Sequence, residues 1–370
     1  MAPMTIASLW IAAAAAVSPT ATLDLHAQPK QEKLIFDWSQ QRCPDITIIP
    51  DAPARAFRRA DGQISLIATH YVNWALTGAT WSSLKPDCRP IFSPADTGAN
   101  QHAWIEATYT RDGRNIAALL SRELSIDHNP QNCTPRKGKS CWLGDIVAAQ
   151  SSDMGRSYRL GKVTATLGNK MPDNSPMRYG AFTTTNIARG KDGYYMLAFL
   201  DGIGTPRGNC LLRTTDPMNE TLWRAWDGKQ FTLDLSKPGQ ALRCKALPQL
   251  DAPVRSINWL PRHKRWVAMM AGQHDINGRP TQGFYYAEST DLRNWTPARL
   301  LVETQIFEAA SGWESIVNYP TLIDPASKSR NFDTLDHDQI LLVFVRRWFE
   351  NNRGFMDRDL LSMPVRIAPK

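Results

Sequence analysis

The sequence predicts an all-β protein folded as a five-bladed β-propeller. The main observation is a charged or glycine-containing turn followed by an alternating apolar strand, a pattern that occurs five times. Asp-Gly turns between such strands are a strong hairpin signal, and repeats at intervals of roughly 50 to 80 residues are typical of blades of about four strands. The five turns lie at residues 59–62, 111–114, 191–193, 262–265 and 336–338.

A second repeat marks the ends of blades two, three and four. In each copy a strand ends in a hydroxyl residue, any residue and an aspartate, and an aromatic residue follows. The aspartate can accept hydrogen bonds from backbone N–H groups of the turn. We interpret these segments as structural turns, and they begin at Ser151, Thr214 and Ser289.

The composition agrees with a globular β protein. The chain has 370 residues, 42% of them hydrophobic, and its 13 Trp, 12 Phe and 9 Tyr suit sheet faces. No helical stripe of three or more turns is present after the N-terminus. The net charge of +8 indicates a mild preference for anionic partners. No run of Lys and Arg with interleaved aromatic residues indicates nucleic-acid binding.

The N-terminus has the pattern of a secretory signal. Residues 6–17 are apolar and too few to span a bilayer, although no Lys or Arg precedes them. Small residues follow near Ala21, and Ala27 ends a second possible cleavage site. We therefore expect a signal peptide over 1–27, a polar leader over 28–44 and the propeller over 45–370. The expected location is periplasmic or secreted, and no later segment predicts a membrane span.

The six cysteines fit an exported chain. They show no Cys-x-x-Cys pair and no zinc-like spacing to histidine, so disulfides are expected and a metal site is not. Their order along the chain favours three pairs, while all fifteen connectivities stay open. The favoured pairs are Cys43–Cys88, Cys133–Cys141 and Cys210–Cys244.

Three acidic residues lie near the starts of first strands, which line the channel of a propeller. Asp51 stands between two prolines before blade one, Glu106 lies in the first strand of blade two, and Glu314 precedes that of blade five. Paired carboxylates can cleave a glycosidic bond, so all three are predicted catalytic residues. The structural alternatives are a turn cap for Asp51, an ion pair of Glu106 with an arginine, and a solvated loop acid for Glu314.

Polar and aromatic residues on the same strands predict a sugar-binding pocket. Amides, guanidinium groups and an indole together are a common way to hold a carbohydrate. The expected partner is a carbohydrate, with an anionic glycan favoured slightly by the positive charge. No cofactor is expected, and the protein is predicted to be a monomer. The predicted binding residues are Arg55, His102, Trp104, Asn186, Arg255 and Asn258.

At these residues the sequence resembles the five-bladed glycoside hydrolases of family 43, the arabinanases and xylosidases, and the related invertases and levansucrases. Asp51 lies where that family has its base or nucleophile, and the segment 285–295 is similar to its blade-ending motif. Glu106 matches its second acid, which is usually Asp. The family's general acid is a Glu early in blade three, but residues 183–189 contain none. This departure leaves two alternatives: Glu314 supplies the acid from blade five, or the protein hydrolyses no glycoside.

Three functions follow as expectations. The first is an exported glycoside hydrolase-like enzyme with Asp51 as base or nucleophile, Glu106 as acid or pKa modulator, and Glu314 as acid. The second is a non-catalytic carbohydrate-binding propeller, which the missing blade-three Glu favours. The third is a sialidase-like enzyme, because residues 151–155 resemble an Asp-box. That function needs a tyrosine nucleophile and an arginine triad, for which Arg55, Arg255 and Arg346 are candidates.

Overall fold

The structure is a computed structural model that describes residues 20–97, 102–124, 142–171, 178–202, 207–306, 314–349 and 357–370. Its regular structure is almost entirely β-strand, which confirms the all-β prediction. The helical segments are single turns, and no helix in the described ranges is long and apolar enough to cross a membrane. These turns are α1 (Trp38–Gln41), α2 (Pro238–Ala241) and the 3₁₀ turns Pro29–Gln31, Trp81–Ser83, Pro94–Thr97 and Glu220–Leu222.

Two short strands come before the first predicted blade. They are β1 (Leu23–Ala27) and β2 (Lys33–Phe36), and both pair antiparallel with the C-terminal strand Arg358–Pro369. Residues 1–19 of the predicted signal peptide lie outside the described residues. Residues 23–27 and 33–36, which lie within the predicted signal peptide and leader, are strands of the folded sheet. The boundaries at 27 and 44 stay predictions.

Five antiparallel units of about four strands follow the order of the chain, and we call them blades one to five. Blade one contains β3 (Arg55–Arg58), β4 (Ile64–Ile67), β5 (Asn73–Gly78) and β6 (Lys85–Phe92). Blade two contains β7 (His102–Thr110), β8 (Ile116–Glu123), β9 (Trp142–Ser151) and β10 (Arg159–Ala165). Blade three contains β11 (Arg178–Thr184), β12 (Ala188–Arg189), β13 (Tyr194–Asp201), β14 (Gly208–Thr214), β15 (Arg224–Trp226) and β16 (Phe231–Leu233).

The last two blades complete the chain. Blade four contains β17 (Val254–Leu260), β18 (Arg265–Ile276), β19 (Arg279–Ser289) and β20 (Arg299–Glu303). Blade five contains β21 (Ser315–Ile323), β22 (Gln339–Trp348) and β23 (Arg358–Pro369), and β1 is its outer strand. The C-terminal strand β23 pairs antiparallel with β22. It finishes blade five, with β1 hydrogen-bonded beside it.

Blades two and three are joined by a short parallel pairing of β9 with β11. Gly180 sits in this pairing with a φ of +139°, and a Cβ atom there would lie 2.0 Å from the Gly144 oxygen. Only glycine permits this backbone approach, because any side chain would collide with the neighbouring strand.

Five clusters of buried apolar residues lie between successive blades. One residue pair illustrates each junction: Phe57 and Ile105 between blades one and two, Ala107 and Met196 between two and three, Leu211 and Ile257 between three and four, Phe284 and Phe344 between four and five, and Val343 and Leu66 between five and one. The junctions form a closed circle, so the first strands of all five blades surround one axis.

Two of the three favoured disulfides are present. Cys43 bonds to Cys88 and Cys210 to Cys244, with Cα–Cα distances of 5.6 and 6.0 Å. The Cys133–Cys141 pair lies outside the described residues. The first bond ties the segment before blade one to its outer strand β6.

The aspartate turns are structural, as interpreted from the sequence. Asp153 accepts hydrogen bonds from the backbone N–H groups of Arg156 and Ser157, and Asp291 accepts them from Arg293 and Asn294. The segment 151–155, which resembles an Asp-box, therefore stabilises the end of β9.

Candidate functional site

Four of the five first strands carry a β-bulge at a similar level of the channel. The pairing register shifts at Glu106 in β7, at Thr183 in β11, at Arg255 in β17 and at Tyr319 in β21. A bulge inserts a residue that leaves the ladder and turns its side chain in a new direction. Thr183 and Tyr319 also have positive φ values of 48° and 60°, which are unusual for residues with a side chain.

The four bulge residues are in contact with one another. The Arg255 guanidinium donates to Thr183 Oγ1 at 2.8 Å and lies over the Tyr319 ring, 5.1 Å from its centroid. The Thr184 backbone N–H donates to Glu106 Oε2 at 2.7 Å. The charge of Arg255 also acts on the Glu106 carboxyl group. Side chains from blades two to five therefore form one polar group at the axis.

Asp51 adds a carboxylate from blade one. The Tyr319 hydroxyl donates to Asp51 Oδ1 at 3.1 Å, and Arg358 from β23 forms an ion pair with the same carboxylate. Burial lowers the pKa of Arg358 to about 10, which leaves it charged at neutral pH. We call Asp51, Glu106, Thr183, Arg255 and Tyr319 the mouth cluster.

Glu106 is the most buried carboxylate of this cluster, with 6% of its surface exposed. Burial raises its pKa above the ordinary value of 4.5, while Arg255 and the hydrogen bonds from blade three act in the opposite direction. Burial also raises the pKa of the Tyr319 hydroxyl, which is therefore protonated at neutral pH. The cluster thus contains a carboxyl group that holds its proton more strongly than usual.

Arg55 was predicted to bind substrate, but the structure gives it another role. Its side chain is 2% exposed, and its guanidinium donates to groups on the first strands of all four other blades. The acceptors are the Glu106 oxygen, the Thr184 oxygen at 3.1 Å, the Arg255 oxygen at 2.6 Å and Thr321 Oγ1 at 3.3 Å. The bulges leave these carbonyl groups without a ladder partner, so Arg55 satisfies them from the axis.

The sialidase-like triad does not assemble. Arg55 is fully used by the channel backbone, and Arg346 forms an ion pair with Glu32 at 2.8 Å. Only Arg255 of the three candidates lies in the mouth cluster.

Two predicted amide ligands also have structural roles. Asn186 donates to the Ile257 oxygen at 2.8 Å and accepts from its N–H at 2.9 Å, which connects blade three to blade four. Asn258 is 1% exposed and donates to the Phe332 oxygen at 3.4 Å. Both asparagines line a small cavity beside Arg55 together with Thr108. Both therefore have partners within the protein, and their part in sugar binding stays a prediction.

His102 and Trp104 lie in an aromatic group at the start of β7. The His102 and Tyr71 rings are stacked 3.8 Å apart, and Trp104 meets both edge-on at about 6.0 Å. His70 packs beside them with its pKa lowered to about 4, first by burial and then by the charge of His102. Because Asp51 precedes β3 and these residues begin β7 or precede β5, the group lies at the same end of the ring.

Glu314 is exposed and lies just before β21. Its backbone oxygen accepts from the Phe349 N–H at 2.9 Å. Among the described residues its side chain makes no hydrogen bond or ion pair with Asp51 or Glu106. The structure therefore unites two of the three predicted acids through the mouth cluster and leaves the third at the surface.

Sequence reasoning missed Thr183, Tyr319, Arg358 and Arg178. Arg178 begins β11 and its guanidinium stacks on the rings of Phe182, at 4.0 Å, and Trp142, at 4.9 Å. The one signal for Tyr319 was the proline that follows it inside a strand, since such prolines occur at bulges. Nothing local marks the other three, because their roles depend on contacts between blades.

Comparison with known proteins extends the fold assignment. No protein-family model and no curated protein matches the chain. A solved structure of a family 117 glycoside hydrolase from Zobellia galactanivorans superposes with a TM-score of 0.51 and 8% identity, covering 91% of this chain and 90% of that one. The catalytic domain of a family 62 α-L-arabinofuranosidase from Coprinopsis cinerea gives 0.47 and 8%, covering 93% and 97%. The predicted propeller fold is confirmed: this chain shares the β-propeller fold of glycoside hydrolases.

Proposed function

We propose that this protein is a glycoside hydrolase-like enzyme that cleaves a glycosidic bond at the mouth cluster. Glu106 would be the proton donor, and Asp51 would be the base or the nucleophile. One observation carries the proposal: carboxylates from two different blades belong to one contact network but have contrasting surroundings. Glu106 is buried, which raises its pKa, whereas Asp51 is paired with Arg358.

The chemistry requires this contrast. A carboxyl group with a raised pKa retains a proton that it can donate to the leaving oxygen of the glycoside. An ionised carboxylate then attacks the anomeric carbon directly, or removes a proton from an attacking water. The Tyr319 hydroxyl and Arg358 both bind Asp51, so they would fix the direction in which its oxygens point.

A panel of fluorogenic glycosides tests the proposal. The wild type should release fluorophore from at least one substrate, and Asp51→Asn and Glu106→Gln should each lower kcat by about 100-fold to 10,000-fold. Glu303→Gln, at an exposed acid on β20, is the matched control and should retain activity. Glu314→Gln shows whether the surface acid takes part. Unchanged turnover by Asp51→Asn and Glu106→Gln would remove both assignments.

A non-catalytic carbohydrate-binding propeller is the second candidate. It is favoured by Thr183, which stands in blade three where the resembled family has its acid and instead accepts a hydrogen bond from Arg255. This function predicts binding on a glycan array without product formation. Asp51→Asn would then weaken the affinity for the glycan, and neither the wild type nor the variant would hydrolyse it.

We also propose that the protein is exported. Two disulfides support this, because such bonds persist in oxidising compartments. Since residues 23–27 form β1, processing should occur before residue 22 and not after Ala27. Mass spectrometry of the N-terminus from a periplasmic or culture fraction checks both points. A mature chain that begins at residue 28, or an intact N-terminus confined to the cytoplasm, would contradict them.

A further inference from the structure

The mouth cluster has more positive than negative charge around it. The charges of Arg255, Asp201 and Glu106 all act on Arg178, so these groups lie within electrostatic reach of it. Neither Arg178 nor Arg255 forms an ion pair within the described part of the chain. Two neighbouring guanidinium groups repel each other, and such a pair is normally stabilised by an anion.

Some donors of these two arginines are not satisfied by the described part of the protein. The Nε atoms of Arg178 and Arg255 are both buried and have no hydrogen-bond partner among the described residues. The Arg178 guanidinium makes no hydrogen bond to any described residue and stacks on the Phe182 and Trp142 rings. A buried donor without a partner is unfavourable, so a ligand that supplies an acceptor at this position would bind more tightly.

The surroundings fit a sugar that carries a charge. Carboxylates and sulfates accept two parallel hydrogen bonds from a guanidinium group, which gives strong and directional binding. The Trp142 indole beside Arg178 is 46% exposed and offers an apolar surface for the face of a sugar ring. Arg255 connects this position to Glu106 and Tyr319, where the glycosidic bond would lie.

We propose that Arg178 and Arg255 bind the carboxylate or sulfate group of the substrate, so that the enzyme acts on an acidic glycoside. This inference rests on the proposed function, because it assigns a substrate class to the same site. Arg178 is the determinant of specificity, since it has no hydrogen bond to lose within the described protein.

Direct binding of free sugars tests this inference without requiring turnover. Isothermal titration calorimetry would compare glucuronate, galacturonate and galactose 6-sulfate with glucose and galactose on the full chain. We expect at least one charged sugar to bind at least tenfold more tightly than its neutral counterpart. Comparison of the two uronates with galactose 6-sulfate shows whether a carboxylate or a sulfate is preferred.

Variants of Arg178 complete the test. Arg178→Gln should reduce the affinity for the charged sugar to that of the neutral one, and Arg178→Lys should retain part of the preference. Arg159→Gln, at an exposed arginine on β10, should change neither affinity. Circular dichroism and the midpoint of thermal unfolding show whether each variant is folded. If Arg178→Gln does not fold, the inference is tested by the preference of the wild type for the charged sugar and by the partial retention of that preference in Arg178→Lys.

The outcomes separate this inference from the proposed function. Equal wild-type affinities, no binding of any charged sugar, or a preference that survives in Arg178→Gln would overturn the inference. Binding of a charged sugar through Arg178 without hydrolysis of any glycoside would instead uphold the anion site and reject the hydrolase. Hydrolysis of neutral glycosides, with no preference for charged sugars, would instead uphold the hydrolase and reject the anion site.

Discussion

Arg55 and Arg178 are both largely buried arginines that begin first strands, yet their surroundings differ. Arg55 donates to four other strands, and its hydrogen-bond partners belong to the protein. Arg178 stacks on aromatic rings, and its Nε has no partner. Burial lowers the pKa of Arg55 to about 9 and that of Arg178 to about 10, so both stay charged at neutral pH.

We infer from this difference that the channel has two parts. The part around Arg55 holds the blades together, and the part around Arg178 is available to a ligand. Around Arg55, the guanidinium and the Asn186 amide are matched within the chain, as the two hydrogen bonds between Asn186 and Ile257 show, whereas Asn258 Oδ1 has no partner among the described residues. At the mouth, strained residues and unmatched donors remain, and such groups are maintained at a stability cost when they serve a ligand. Four predictions test whether this division is real.

The largest effect is expected for Arg55→Met. It would leave several buried carbonyl groups without donors, so the free energy of unfolding should fall by about 3–5 kcal/mol. Urea denaturation measures the loss, and Arg159→Met at the surface should stay within about 0.5 kcal/mol of wild type. A loss of sugar affinity with unchanged stability would mean that Arg55 belongs to the mouth.

A pH-dependent effect is expected from His70, whose buried Nδ1 has no partner in the described part of the chain. Its pKa falls from 6.5 to about 4 in the folded state, so the unfolded chain binds the proton first. Stability should therefore be lost as the pH falls from 6.5 to 4, by up to about 3 kcal/mol. His70→Phe should reduce this loss in urea denaturation series, whereas His26→Phe at the surface should not. Parallel pH profiles for wild type and His70→Phe would disprove the assignment.

Asn186→Ala should have a smaller effect. It removes two hydrogen bonds between blades three and four and leaves the Ile257 backbone groups unpaired, which costs about 1–3 kcal/mol. The midpoint of thermal unfolding should fall, while the affinity for sugars stays unchanged. An altered sugar affinity in the folded variant would show that Asn186 takes part in sugar binding.

Glu106→Gln should give the smallest change in stability. Because burial raises the pKa of Glu106, the folded protein keeps this proton at pH values where the unfolded chain has lost it. Its contribution to stability thus decreases as the pH rises from the unfolded pKa of 4.5 through the folded pKa. At neutral pH the variant should be as stable as wild type or slightly more so. A marked destabilisation would show that Glu106 holds the strands together, as Arg55 does.

The repeated turns made the fold predictable from the sequence, whereas the candidate site depends on β-bulges that interrupt the regular strands. Turns recur at each blade, and cysteine order matched two disulfides. Strict alternation, however, places Glu106 and Thr108 on one face, and the bulge at Glu106 breaks that alternation. Thr108 consequently lies beside Arg55 and not at the mouth. A bulge depends on pairing between strands, so no local pattern announced it.

The functions of Arg55 and of residues 23–27 were hidden for similar reasons. A guanidinium is equally suited to a sugar and to backbone carbonyl groups, and only the assembled channel distinguishes them. The apolar alternation of β1 also fits the end of a leader, and its partner strand lies more than 300 residues away in sequence. Asp51 and Glu106 could be predicted from the sequence because the first strands of a propeller converge on its axis. That convergence does not depend on the exact pairing register of each strand.

The pairing of β1 with β23 has a consequence for how the protein is made. The outermost strand of the last blade, β1, is synthesised more than 300 residues before its partner β23. The circle therefore cannot close until β23 has left the ribosome. Until then, the apolar flank of an unfinished sheet is open to other chains, so expression should depend on protection against premature association.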